Sequence, residues 1–344
     1  SGSTVYAGGS FSTIGGTTRN CLAAIGTNGT LASWNPNANN QVLALAISDS
    51  TVYAGGDFTS IGGTTRNYLA AIGTDSTLAS WDPNPSSWVN ALAISGSTVY
   101  AGGTFLTIGG TTRNRLAAIG TEGTLTSWNP NANNNVSALA ISGSTVYAGG
   151  QFTNLCASPS TCTGQIVSPA TNVIRNRLAA IGTDGTLSTT WNPNASNPVS
   201  ALAISGSTVY AGGSFVNLCT APSSCTTQAS TTRNRLAAIG TDGTLSNTWN
   251  PNASGAVNAL AISGSTVYAG GGFLNLCTAP SSCTDQIVSG TNVIRNRLAA
   301  IGTDGTLSNT WNPNANNLVS VLAISGSTVY VGGSFVNLCT SPSS

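Results

Sequence analysis

The chain has 344 residues, a formal net charge of +1, no His and no Met, and all ten of its basic residues are Arg. Lacking His and Lys, it offers no imidazole metal ligand and none of the usual general bases or Schiff-base amines. Its near-neutral charge gives no field for a nucleic-acid backbone. The expectation is a non-enzymatic protein with no cofactor, no metal and no nucleic-acid partner. No membrane insertion is expected either, because no apolar run approaches the ~18 residues of a spanning helix.

Taken from the N-terminus, the chain is a series of copies. S-T-V-Y begins at Ser3, Ser50, Ser97, Ser144, Ser207, Ser265 and Ser327, at spacings of 47, 47, 47, 63, 58 and 62 residues. The extra length of the later copies falls in one place, after the G-G-x-F that follows each S-T-V-Y, as expected for a fixed scaffold with a variable rim. Within one copy, Val89 to Ile94 (V-N-A-L-A-I) predicts a short strand buried on both faces. Thr98 to Gly103 (T-V-Y-A-G-G) predicts a second strand, its paired glycines allowing close backbone approach. Arg115 to Thr121 predicts a third, and the following E-G or D-G is a hairpin turn leading into Thr124 to Trp128. Asn-Pro-Asn then stops the fourth strand, because Pro cannot donate to a ladder. Nothing in the unit has helical periodicity.

Four antiparallel strands in about 47 residues match one propeller blade. The reading is all-β: a single β-propeller domain over residues 1–344. It has six A-L-A-I-type, six L-A-A-I-G and six T-L-x-x-W strands, but seven T-V-Y-x-G-G strands. That count predicts six blades, with the ring closed by N- and C-terminal strands and either Thr4 to Gly9 or Thr328 to Gly333 redundant. The alternative is a piece of a longer, seven-bladed chain; no signal peptide is visible, which fits a mature form or a fragment.

The run from Val52 to Asn84 joins G-G-x-F, a G-x-x-R-N-x-L-A turn and strand, a D-x hairpin and an aromatic exit before Pro. It resembles the delta-60-type β-propeller repeat of secreted bacterial proteins, and the likeness recurs along essentially the whole chain. The resemblance implies a propeller, an extracellular or cell-surface setting and no known catalytic residues. The cysteine-bearing insertions and the absence of Lys depart from that pattern and suit a specialised surface or assembly role.

Three cysteine pairs share one spacing: Cys156 with Cys162, Cys219 with Cys225, and Cys277 with Cys283. Zinc sites use tighter pairs, so local disulfides clipping each inserted loop, in an oxidising compartment, are the expectation. Cys21 and Cys339 are left over. Two readings stand for them: a Cys21–Cys339 disulfide fastening the closing blade, within one chain or between neighbours, or two free thiols.

Arg19, Arg66, Arg113, Arg175, Arg233 and Arg295 recur before Asn, and Asp75, Glu122, Asp184, Asp242 and Asp304 recur in the hairpin turn. Repetition at this regularity reads as scaffold, with Arg holding loop carbonyls and the acid starting the turn. Trp34, Trp81, Trp128, Trp191, Trp249 and Trp311 read as packing between blades. Trp88 breaks the pattern and is the candidate contact surface; Asn28, Asn135, Asn194 and Asn252 lie in glycosylation sequons. The functional expectation is an extracellular structural protein, a surface or filament-forming subunit that self-associates by terminal strand complementation. The second reading is an adhesin that binds glycans, proteins or other cell-surface components through the cysteine-clipped rim loops.

Overall fold

A computed structural model describes residues 2–156, 172–219, 230–277 and 292–339. Every regular element among them is a β-strand. The chain divides into two compact units: Ser1–Ile141 with Phe152–Val173 and Thr183–Thr186, and Ser142–Gln151 with Ile174–Gly182 and Leu187–Ser344. Each unit is built from the same small antiparallel sheet.

In the first unit, Thr51–Gly56 lies between Val42–Ser48 and Leu69–Gly73, and Thr98–Gly103 lies between Val89–Ser95 and Leu116–Gly120. The second unit repeats this with Thr208–Gly213 between Val199–Ser205 and Leu236–Gly240, and Thr266–Gly271 between Val257–Ser263 and Leu298–Gly302. These strands are the expected A-L-A-I, T-V-Y-x-G-G and L-A-A-I-G segments.

The expected fourth strand shrinks to one bridged pair per repeat, such as Ile72 with Leu78 and Ile239 with Leu245. The chain does return antiparallel, since Gly73 N–H donates to the Thr77 carbonyl and Ala79 N–H to the Ala71 carbonyl. It then leaves the ladder, because Trp81 reaches across to the next repeat and Pro83 has no N–H to offer.

The A-L-A-I strand is also less enclosed than its composition suggests. Val89 is fully buried, but the strand from Leu92 to Ser95 is half-buried. Successive strands of this type contact one another: Val42–Ser48 with Val89–Ser95, and Val199–Ser205 with Val257–Ser263.

The variable loop makes a second, smaller sheet. In short repeats it is a two-residue hairpin, Ser60–Ile61 with Thr64–Thr65. In longer ones, Asn275–Cys277 lies between Asn252–Ala253 and Asn292–Ile294.

The core lies between repeats. One cluster joins Tyr210, Leu236 and Trp249 of one repeat to Val257, Val267 and Phe273 of the next. The first glycine of T-V-Y-x-G-G sits at this seam. A Cβ on Gly212 would lie 2.7 Å from Val257 Cγ1. Gly212→Ala is therefore expected to cost about 1–3 kcal/mol by overpacking, read as a lower denaturation midpoint with an unchanged slope.

Both ends carry two-stranded sheets. Thr4–Gly8 pairs with Leu22–Gly26, and Val319–Ser325 pairs with Thr328–Gly333. Among the described residues no sheet combines strands from the two ends. Cys21 and Cys339 are both free thiols in the structure, the second of the two readings. Cys339 instead sits on a strand paired with Asn314–Ala315 of its own repeat.

Candidate functional site

Three recurring side-chain devices build the space between repeats. The first is the tryptophan. Trp34 Nε1 donates to the Gly73 carbonyl at 2.8 Å, Trp81 to Gly120, Trp191 to Gly240 and Trp249 to Gly302, the last three at 2.9 Å. Each ring also meets a tyrosine of its own repeat edge-on, as Trp249 meets Tyr210 at 5.0 Å and 72°. The tryptophans therefore join adjacent repeats, as their regular spacing suggests.

The second device is the turn carboxylate. Asp242 Oδ1 accepts the Thr244 N–H at 2.9 Å and the Thr244 hydroxyl at 2.7 Å, and Asp75, Asp184 and Asp304 do the same with their own threonines. The Thr244 hydroxyl bond, then its backbone N–H, hold the Asp242 carboxyl below the usual range. In the first repeat, Asn28 makes the same two bonds to Thr30 without a charge. Because the folded pKa is depressed, the carboxylate contributes stability above the unfolded value of about 3.9, and the contribution is lost as pH falls through the folded value. Asp242→Asn should thus lower the melting temperature slightly at pH 7 and reduce its fall in acid, by differential scanning calorimetry from neutral to strongly acid pH.

The third device is the arginine. Arg233 is 4% exposed; Nη1 donates to the Thr232 carbonyl at 2.9 Å and Nη2 to the Ser246 carbonyl at 2.7 Å. Burial lowers its pKa. Among the described residues its Nε–H has no partner, and neither does Asn250 Oδ1. In the second repeat the corresponding groups, Arg66 and Asp82, form an ion pair at 3.7 Å.

These devices frame open clefts. One of about 400 Å³ is lined by Ser207, Thr208, Tyr210, Asp242, Thr244, Ser246, Trp249 and Thr303. Its equivalent one repeat later, about 490 Å³, is lined by Ser265, Thr266, Tyr268, Asp304, Thr306, Ser308 and Trp311. The chemistry on offer is hydroxyls and one carboxylate. In the first cleft Tyr210 and Trp249 are 3% and 1% exposed, so their faces are closed to a stacking ligand. Among the described residues no group of three or more His, Cys, Asp or Glu converges on a metal-sized site.

Trp88, the predicted contact residue, is 46% exposed, and Leu106 beside it in the same repeat is 48% exposed. The two flank one loop pair, where the Trp88 carbonyl accepts the Thr104 N–H and Ser86 Oγ accepts the Leu106 N–H. Leu106 was not marked by the sequence, since other repeats place Thr59 or Val216 there.

The sequons separate by burial. Asn28 is exposed and Asn135 half-buried, the latter accepting from Asn90 Nδ2 at 2.7 Å. Asn194 and Asn252 are 0% exposed, and their amides donate to the Asn192 and Asn250 carbonyls. A glycan cannot be accommodated on either in the folded chain, which corrects the expectation for these two.

Cys156, Cys219 and Cys277 are buried, and their sulfurs are bonded. Their expected partners Cys162, Cys225 and Cys283 lie outside the described residues.

No family model matches the chain, and no curated protein does. Solved structures do. A computationally designed protein, Ika8, aligns with a TM-score of 0.54 at 14% identity, covering 96% of this chain and 91% of its own. The WD40 β-propeller domain of Doa1 aligns at 0.52 and 10% identity, covering 89% of this chain and 84% of its own. The extracellular domain of the one-component system BT4673 from B. thetaiotaomicron aligns at 0.53 and 14% identity; 96% of this chain matches 37% of that one. At these identities the likeness concerns fold, and it is to β-propeller domains.

Proposed function

We propose that the chain is a secreted, non-enzymatic structural protein: a six-bladed β-propeller that self-associates through its open sheet edges into a surface or filament assembly. The observation that carries this reading is the contrast between equivalent positions. Leu155, Leu218 and Leu276 are 2–3% exposed, whereas Leu338 is 49% exposed, and Val321, in the open sheet of Val319–Ser325 with Thr328–Gly333, is 52% exposed. Among the described residues Thr328–Gly333 has a partner on one edge only, while Thr266–Gly271 is flanked by an L-A-A-I-G strand on its other edge. Leu22–Gly26 is an L-A-A-I-G strand whose sheet lacks an A-L-A-I partner. Displacement of Thr4–Gly8 by Thr328–Gly333 beside Leu22–Gly26, in the same chain or a second copy, would give Thr328–Gly333 its second partner and cover the apolar face.

Bonded Cys156, Cys219 and Cys277 support disulfide-clipped loops and an oxidising compartment. The extracellular neighbour agrees with that setting. Size-exclusion chromatography with electron microscopy tests the assembly. Wild type should form higher species or closed rings, and Val321→Asp should reduce them; a strictly monomeric wild type with both edges free contradicts the proposal.

The exposed Trp88–Leu106 pair favours a second reading, an adhesin contacting a protein or glycan at that loop. Glycan-array or cell-surface binding that is lost in Trp88→Ala while assembly is retained would support it.

A further inference from the structure

We propose that the first repeat contains an open guanidinium-binding niche, which four of the later repeats fill with their own arginines. The position before L-A-A-I-G is Arg115, Arg177, Arg235 and Arg297 in four repeats, Tyr68 in the second and Cys21 in the first. In those four repeats the arginine Nη1 donates at 2.7–2.9 Å to the carbonyl of Ala132, Ala195, Ala253 or Ala315.

The backbone around Cys21 is set up in the same way. Cys21 has φ 61° and Arg115 has φ 66°. Cys21 N–H donates to the Phe11 carbonyl at 2.8 Å, as Arg115 N–H does to Phe105. Ala38 N–H donates to the Asn20 carbonyl at 3.2 Å, as Ala132 N–H does to Asn114 at 3.0 Å. The carbonyl that would receive a guanidinium is therefore in register, but a thiol on one methylene is too short to reach it.

The space the long side chain would occupy is a cleft of about 640 Å³, lined by Cys21, Ser12, Asn20, Asn37, Ala38 and Asn39 among others. It is uncharged, with the Phe11 ring beside the amide and hydroxyl groups of Asn20, Asn37, Asn39 and Ser12. Planar, multi-donor guanidinium suits such a set better than a compact, strongly hydrated ammonium. The ligand class is a guanidinium group, either of a small molecule such as agmatine or of an arginine side chain on a protein.

Cys21 reports on the niche because its thiol lines it, and Cys339, the other free thiol, is an internal control outside it. The full chain is alkylated with iodoacetamide during titration with agmatine, with an acetylated Gly-Arg-Gly amide, and with butylamine, and each cysteine is followed by peptide mapping. At four times Kd, agmatine should slow Cys21 about five-fold by simple occupancy, with Cys339 unchanged and butylamine without effect. Protection by the peptide as well assigns the niche to protein arginines; protection by agmatine alone assigns it to small guanidines. No saturable protection of Cys21, equal slowing of Cys339, or equal protection by butylamine overturns the proposal. Independently, Cys21→Arg should melt above Cys21→Ala, because the introduced guanidinium reaches the Ala38 carbonyl; a melting temperature at or below that of Cys21→Ala also overturns it.

Discussion

Trp249→Ala is expected to lower the unfolding free energy by about 3–5 kcal/mol, the range for emptying a buried large aromatic site. The ring is 1% exposed, packs edge-on against Tyr210 and belongs to a cluster that includes Val257 and Phe273 of the next repeat. Its indole N–H is also a cross-link to Gly302, 53 residues away. Trp249→Phe retains an aromatic ring and loses that hydrogen bond, adding about 0.5–1.5 kcal/mol to a smaller packing loss. The order wild type, Phe, Ala should appear in chemical denaturation midpoints. Hydrogen exchange should show the loss of protection concentrated at Leu236–Gly240 and Leu298–Gly302, the two strands that the tryptophan holds together. Loss confined to the Trp249 loop would mean that the ring decorates its own repeat and does not join two. Trp311 is half-buried, and among the described residues its indole N–H has no such partner. Its replacement by Ala should cost less in the unassembled chain.

Arg233→Met is the second large effect. The guanidinium bridges two carbonyls, Thr232 and Ser246, on opposite arms of the repeat. Hydrogen bonds to a charged group contribute about 1.5–3 kcal/mol each. Burial opposes the charge and lowers the Arg233 pKa, so the net loss should fall near 3 kcal/mol. Arg233→Lys should not restore stability, because one ammonium cannot reproduce the two-pronged geometry. Asn250→Asp should act in the opposite direction. Asp82 beside Arg66 shows that this position can carry a carboxylate facing the arginine, and Asn250 Oδ1 has no donor of its own. The added carboxylate should raise the midpoint at neutral pH. Its folded pKa would be depressed by the arginine, so the gain should disappear as pH falls below the unfolded value of about 3.9 and through the folded one. An unchanged midpoint at pH 7 would show that Arg233 and Asn250 do not face one another.

Much of this was legible because the repeat displays it several times. The three main strands follow from A-L-A-I, T-V-Y-x-G-G and L-A-A-I-G, and the tryptophan and turn acids take the roles their regular spacing implies. Where the sequence misleads, tertiary geometry is the reason. Thr77 to Trp81 has strand composition, but the indole's bond into the next repeat draws the chain off the ladder after a single bridge. Asn194 and Asn252 look like surface sequons because Asn, Ala and Ser are common in turns. In the structure they open a second small sheet that buries them. Cys21 and Cys339 invite pairing by parity, a counting argument that carries no distance; each sits on its own end's local sheet system as a free thiol. The Cys21 cleft was hidden because it depends on the Ala38 carbonyl lying 17 residues further along the chain, a contact visible only through the arginines of later repeats.

The most direct measurement is a density map of the native protein, by cryo-electron microscopy, at a resolution that traces strands. The account predicts that Thr328–Gly333 takes the place of Thr4–Gly8 beside Leu22–Gly26, of the same chain in a closed ring or of a neighbour in a filament, with Val321 and Leu338 covered. A monodisperse particle in which that edge faces solvent, or repeats stacked as coils along a line, would contradict it.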